Sequence, residues 1–194
     1  MPKFYHGEME FEVPESVYYP REDSELLANH IESLELHGKS VLEAGCGSGF
    51  LSIMAAKHGA KVTSVDINEE AVETTRANAE TNQVQLNAFK SDLFSSVEGK
   101  FDLIIFNPPY LPVEPEEKDP TYAGGATVRE TIERFAAGVK SHLNPAGRVL
   151  IVISSLTGEK EVIELFEKQG MKISIASREK IPWEELIVIL ADVF

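Results

Sequence analysis

The stretch VLEAGCGSGF, residues 41–50, constrains the fold more than any other. A short apolar run, Val41 to Ala44, meets Gly45, Gly47 and Gly49, and then a helical stripe of Phe50, Ile53 and Met54 that ends near Gly59. KVTSVD at 61–66 is a second strand. Strand, glycines, helix, strand is the opening of a doubly wound sheet. Glycine turns tightly there and lets backbone approach a ligand where a side chain would intrude.

The rest of the chain keeps alternating. Residues 24–36 carry Leu27, Ile31 and Leu34 at helical spacing. Asn68 is placed to cap a helix running to about Thr81, with Glu69 and Glu70 in its first turn, where the helix dipole favours negative charge. LNAFKSD at 86–92 is a weaker third strand, FDLIIF at 101–106 a fourth and RVLIVIS at 148–154 a fifth. Val128, Ile132, Phe135, Val139 and Leu143 predict a long amphipathic helix, followed by a turn at NPAG, 144–147. Glu159 to Lys168 reads as a helix stopped by Gly170. KISIAS at 172–177 and ELIVILA at 185–191 are the last strands. Their link of about eight residues is too short for a helical crossover, so they should pair antiparallel.

The expectation is an α/β, Rossmann-like, seven-stranded and mostly parallel sheet with helices on both faces and a C-terminal antiparallel hairpin. One domain spans 1–194, with residues 1–22 as an N-terminal lead-in segment. Ligands in such sheets bind beyond the carboxyl ends of the strands, at the switch point.

Composition narrows the function. No stretch approaches the roughly 20 apolar residues of a membrane span, and MPKFYHGEMEFEVP has no apolar signal core, so a cytoplasmic protein is expected. Cys46 is the only cysteine and the five histidines are scattered, so no metal site is expected in the chain itself. Cys46 reads as a small residue in a tight turn rather than a nucleophile. A net charge of −14 disfavours an electrostatic hold on a phosphate backbone, so direct nucleic-acid binding is not expected. EPEEKD at 114–119 reads as a solvated loop or as a lip attracting a basic substrate segment.

Asp66 ends the second strand, where a carboxylate accepts both hydroxyls of a ribose. That much suits a dinucleotide as well. Two features favour S-adenosylmethionine. Glu43 precedes the glycines, where it can face a cationic amino acid instead of a pyrophosphate. Asp92 and Leu93 follow the third strand, where the acid can bond an adenine amino group and the leucine can pack on the ring.

FDLIIF ends abruptly in Asn107-Pro108-Pro109-Tyr110. Asn107 precedes proline and is held extended, and the two prolines have fixed φ and no N–H. The Pro108 carbonyl and the Asn107 side-chain oxygen then form two fixed acceptors, matching the two hydrogens of one –NH2 group, with Tyr110 as an aromatic wall. An amide or aromatic amino nitrogen is a poor nucleophile that gains positive charge as it attacks a sulfonium methyl. Fixed acceptors stabilise that charge in the transition state more than in the ground state.

EAGCGSG, VDIN, SDLF and NPPY, in this order, resemble the Rossmann-like amino-methyltransferases. VYYPREDSELL at 17–27 and YAGGATVRETIERF at 122–135 are similar to the corresponding stretches of the HemK-like glutamine methyltransferases, in their short archaeal and eukaryotic branch. The resemblance covers the chain from about Tyr18. It implies N5-methylation of the glutamine in the Gly-Gly-Gln motif of a class-one translation release factor, with S-adenosylhomocysteine as product. It implies a cofactor set of Ser24, Glu43, Gly45, Gly47, Asp66, Ile67, Asp92, Leu93 and Asn107, and a substrate pocket of Asn107, Pro108, Pro109 and Tyr110. It also implies a small zinc-binding activator, paired with the edge of the sheet, that supports solubility and activity. Tyr19, Arg21 and Val128 depart from the family pattern. The alternatives are methylation of an adenine or guanine amino group in RNA or DNA, methylation of a protein lysine, or a cofactor-binding scaffold without turnover.

Overall fold

The computed structural model describes residues 2–109 and 129–193. Tyr110, the 114–119 acidic segment and Val128 lie outside the described residues. In chain order the elements are β1 (Lys3–His6), β2 (Met9–Glu12), α1 (Glu22–Glu32), β3 (Ser40–Ala44), α2 (Phe50–Lys57), β4 (Lys61–Asp66) and α3 (Glu69–Thr81). There follow β5 (Asn87–Lys90), β6 (Phe101–Phe106), α4 (Glu130–Val139), β7 (Leu143–Ser154), α5 (Glu159–Lys168), β8 (Lys172–Ile181) and β9 (Glu184–Asp192).

Seven strands form one sheet in the order β5-β4-β3-β6-β7-β9-β8. The pairs β5–β4, β4–β3, β3–β6 and β6–β7 are parallel, and β9 runs antiparallel to both its neighbours. The order reverses between β3 and β6, so the carboxyl ends of these two strands flank the switch point. Period-2 alternation explains why the central strands read as unbroken apolar runs. Val41, Leu103, Ile105, Leu150 and Val152 face one core with α1, α2 and α3. Leu42, Ile104, Phe106, Val149 and Ile151 face the other with α4 and α5. No helix among the described residues is long and apolar enough to cross a membrane.

The helix signals act as expected. Asn68 accepts from Glu70 N–H at 3.0 Å and caps α3. Gly170, with φ 67°, ends α5. Several boundaries differ. Leu34 lies beyond the end of α1, and the third strand is shorter than 86–92. Leu143 leaves the helical stripe and starts β7, because the helix tightens into a 3₁₀ turn at Lys140–His142. NPAG falls within the bounds of β7, yet it stands out of register. Phe101 pairs with Leu143 and Leu103 with Arg148, so the turn is a bulge inside the strand. The final hairpin is longer and tighter than expected. β8 extends to Ile181, and only Pro182 and Trp183 link it to β9, with Trp183 at φ 78°.

The β1–β2 hairpin was not anticipated. Its four-residue strands are too short to stand alone. The outer edge of β2 is held by side chains of α3 and of its C-cap residue. Asn78 exchanges hydrogen bonds with Glu12, N–H to Oδ1 at 2.9 Å and Nδ2 to O at 3.0 Å. Asn82 does the same with Glu10 at 3.2 and 2.7 Å. Four helical residues rise about 6 Å and two strand residues about 6.8 Å, so the amides match alternate residues of the strand.

Candidate active site

β3 delivers Glu43 and Ala44 to the carboxyl end of the sheet, and the chain then turns through Gly45, Cys46 and Gly47. Gly45 N–H and Cys46 N–H donate to the Val65 carbonyl of β4 at 2.8 and 3.0 Å, tying the turn to the next strand. Gly49 caps α2 at φ 79°, and a Cβ there would stand 2.9 Å from Thr75 Cγ2 and 3.1 Å from Thr75 Cα. Only glycine satisfies both the left-handed backbone and this contact with α3. Gly49→Ala is expected to cost about 2–4 kcal/mol, combining left-handed strain with overpacking. Urea unfolding checks it. A loss below about 1 kcal/mol would mean that α2 and α3 slide apart freely.

Asp66 closes the turn. Its Oδ2 accepts from Gly47 N–H at 3.0 Å and its Oδ1 from Asn68 N–H at 2.9 Å. Burial pushes its carboxyl above the ordinary range, against these backbone bonds. Glu43 is 2% exposed. Its Oε2 accepts from Ser52 N–H at 2.8 Å and from the Ser52 hydroxyl, so the strand-end acid caps the first turn of α2. Burial pushes its carboxyl from 4.5 up to about 8, the Ser52 bonds pull the other way, and Asp66 adds to the rise.

The sign follows from proton counting. Between about pH 4.5 and about 8 the folded chain holds a proton on Glu43 that the unfolded chain has released. Stability from this group therefore falls as pH rises through that window. Glu43→Gln keeps the acceptor and removes the titration, so its stability should fall less from pH 5.5 to 8.5 than that of the wild-type chain. Parallel curves in urea unfolding would show that Glu43 does not titrate there.

Beyond β5, Asp92 receives Arg134 Nη2 at 2.6 Å from α4. Leu93 sits at φ 49°, and Ser91 Oγ donates to its carbonyl at 2.8 Å. A left-handed leucine costs about 1–2 kcal/mol, and such strain clusters at functional sites. Asn107, Pro108 and Pro109 leave the end of β6 with no regular structure. Asn107 Nδ2 donates to Ser24 Oγ at 3.2 Å. Asn107 Oδ1 is buried and accepts no hydrogen bond among the described residues.

One cleft of about 640 Å³ is lined by every expected site residue that falls within the described segments: Ser24, Glu43, Gly45, Gly47, Asp66, Ile67, Asp92, Leu93, Asn107, Pro108 and Pro109. Tyr110 lies outside them. The cleft also takes in residues the sequence reasoning missed, notably Asp23, Arg134 and Glu184. Arg134 lies on the polar flank of an amphipathic helix, and nothing in the sequence separates it from a solvated arginine. Asp23 carried a signal, an acid next to Ser24 within PREDS. Among the described residues no cluster of three or more His, Cys, Asp or Glu could hold a metal ion.

The sheet order, the glycine turn and the acid that closes on it define the class, a Rossmann-like α/β protein with a cofactor cleft at its switch point. Residues 21–175 match the methyltransferase small domain, and the chain belongs to that family. The family's methyl donor is S-adenosylmethionine. A Methanocaldococcus jannaschii protein, provisionally named a protein N5-glutamine methyltransferase, is 46% identical over 181 residues, covering 90% of this chain and 91% of that protein. Ribosomal RNA small subunit methyltransferase C of Haemophilus influenzae is 34% identical over 145 residues, 74% of this chain but 40% of that protein. The solved Mtq2–Trm112 complex of E. cuniculi, responsible for methylation of the eRF1 translation termination factor, matches with a TM-score of 0.77 at 28% identity, covering 92% of this chain and 99% of that one. The T. thermophilus 16S rRNA N2 G1207 methyltransferase, in complex with AdoMet and guanosine, matches with a TM-score of 0.75 at 22% identity, over 99% of this chain and 50% of that one, a likeness of fold.

Proposed function

We propose that this chain methylates the side-chain amide nitrogen of the glutamine in the Gly-Gly-Gln motif of a class-one translation release factor. The observation that carries the reading is the buried Asn107 Oδ1, an acceptor without a donor among the described residues. Leaving such a group unpaired costs about 1–3 kcal/mol, which an incoming –NH2 recovers. The M. jannaschii relative and the eRF1-methylating complex support glutamine as the source of that group.

The cleft residues fit S-adenosylmethionine. Asp66 has lone pairs left for ribose hydroxyls, Asp92 and Leu93 suit an adenine edge and face, and Glu43, also in the lining, suits the amino-acid group. Gly45, Gly47 and Ile67 would offer the cofactor backbone and an apolar contact, and Ser24 and Asn107, hydrogen-bonded to each other, line the same cleft. The cofactor supplies a methyl on a sulfonium. The protein holds the nucleophilic nitrogen in line and stabilises its growing charge through Asn107 Oδ1 and the Pro108 carbonyl. Pro109 stiffens this exit.

A small zinc-binding activator as heterodimer partner and a cytoplasmic setting complete the proposal. The partner reading rests on the Mtq2–Trm112 complex, and the zinc would be the partner's own. A second reading, methylation of a guanine or adenine amino group, is favoured by the ribosomal RNA methyltransferase relatives and opposed by the −14 charge.

Labelled methyl transfer with the candidate partner present, offered release factor and separately RNA and DNA, tests the proposal. Label on the release factor, lost when its Gly-Gly-Gln glutamine is replaced, is the expected result. Label on nucleic acid alone would establish the second reading.

A further inference from the structure

The lead-in segment reaches the methyl-transfer site through a short chain of hydrogen bonds. Tyr18 Oη donates to Asp23 Oδ2 at 2.8 Å. Asp23 Oδ1 accepts Ser24 N–H at 2.6 Å and the Ser24 hydroxyl at 3.2 Å. Ser24 Oγ in turn accepts Asn107 Nδ2 at 3.2 Å. Asp23 and Ser24 are both buried, Asp23 at 2% exposure.

A hydroxyl has one hydrogen and two lone pairs, and a carboxylate has acceptors only. Asp23 therefore takes the Ser24 hydrogen and leaves a Ser24 lone pair facing Asn107. That lone pair demands a donor, so the Asn107 amide must turn its nitrogen toward Ser24. Its oxygen is then the atom left buried and unpartnered in the cleft. Reversed, the same amide would present two N–H groups to an incoming –NH2 and repel it.

We infer that Asp23 is a positioning residue for methyl transfer: acting through Ser24, it fixes which end of the Asn107 amide faces the substrate nitrogen. This rests on the reading of Asn107 as the acceptor for the substrate amide. It gives the first turn of α1 a part in polarity selection, with Tyr18 of the lead-in segment bonded to Asp23 behind it. The arrangement needs an acceptor oxygen at position 23, not a charge.

The test compares Asp23→Ala, Asp23→Asn, Ser24→Ala and the double Asp23→Ala/Ser24→Ala, each in complex with the candidate partner. Single-turnover transfer to the release factor at saturating methyl donor is read beside calorimetric affinity for S-adenosylhomocysteine. Asp23→Ala should slow transfer about 10- to 100-fold, part of the loss expected for removing the acceptor outright, with affinity changed about twofold or less. Asp23→Asn, which retains an oxygen for the Ser24 hydroxyl, should recover most of the rate. Asp23→Ala should add about twofold or less in the Ser24→Ala background, because the link is already cut.

An Asp23→Asn loss as large as that of Asp23→Ala would make the charge the active property and overturn the inference. So would a full Asp23→Ala penalty in the Ser24→Ala background. The Asn107 side-chain NH2 resonance gives a readout without turnover. One of its protons should be shifted and slowly exchanging in the wild-type chain and in Asp23→Asn, and should lose both properties in Asp23→Ala. An unchanged resonance in Asp23→Ala overturns the relay. A wild-type chain that labels no release factor, yet shows this resonance pattern, overturns the glutamine reading and leaves the relay standing.

Discussion

Asn107→Ala is expected to slow methyl transfer by about 10²–10³-fold, the loss seen when one preorganised electrostatic contact to a developing charge is removed. The substitution deletes the buried acceptor Oδ1 and the donor that pairs with Ser24. The nitrogen being methylated gains positive charge only on the way to the transition state, so the loss should fall mainly on kcat and less on KM. Affinity for S-adenosylhomocysteine should fall by a smaller factor, because the rest of the cleft is untouched. Asn107→Asp keeps an acceptor at the same place and should retain more activity than alanine. Stopped single-turnover assays separate these quantities. If Asn107→Ala lost cofactor affinity by as large a factor as rate, the residue would be a cofactor ligand and the transition-state role would fall.

Phe135→Ala should carry the largest effect on stability, about 3–5 kcal/mol. Phe135 is fully buried beneath the sheet. Its ring centroid lies 4.4 Å from that of Phe106, 5.2 Å from Phe94 and 6.4 Å from Phe166. Alanine leaves a cavity among three other rings, which cannot collapse onto one point. The substitution should also reach the site, since Phe106 immediately precedes Asn107 and lines the cleft. Urea unfolding measures the first effect and the transfer rate of the folded variant the second. Trp183→Ala is the control. Trp183 is 97% exposed, and its loss should change stability by no more than about 0.5 kcal/mol. Equal losses at the two positions would mean that this cluster does not hold the core.

The elements that position the cleft were legible because their signals are local. VLEA and FDLIIF are largely apolar runs that packing on both faces demands, KVTSVD is rich in β-branched residues, and Asn68 with Glu69 and Glu70 is a cap written in consecutive residues. What stayed hidden depends on residues far apart in sequence. The β1–β2 hairpin is fixed by Asn78 and Asn82, and its own residues alternate too briefly to announce a strand. Leu143 fits a helical stripe by spacing but pairs with Phe101 in the sheet, a tertiary choice overriding a local pattern. The same holds at the cleft. Glycine, acid and Asn-Pro-Pro signals identified its walls, whereas the Arg134–Asp92 pair and the Asp23–Ser24–Asn107 chain arise only once α4 and α1 are docked.

The reversed strand β9 has a consequence for how the molecule comes into being. It follows both β7 and β8 in the sequence, yet it lies between them in the sheet, hydrogen-bonded to β7 on one side and β8 on the other, with Leu186 to Ile189 buried. A ribosome delivers chains from the N-terminus, so β7 must wait at an open edge until β9 emerges, and β8 has no place in the sheet before then. β9 thus enters the sheet as a keystone, after both of its neighbours. A chain cut short before β9 would be left with an opened sheet and an apolar margin, a substrate for chaperones rather than a slightly shorter enzyme.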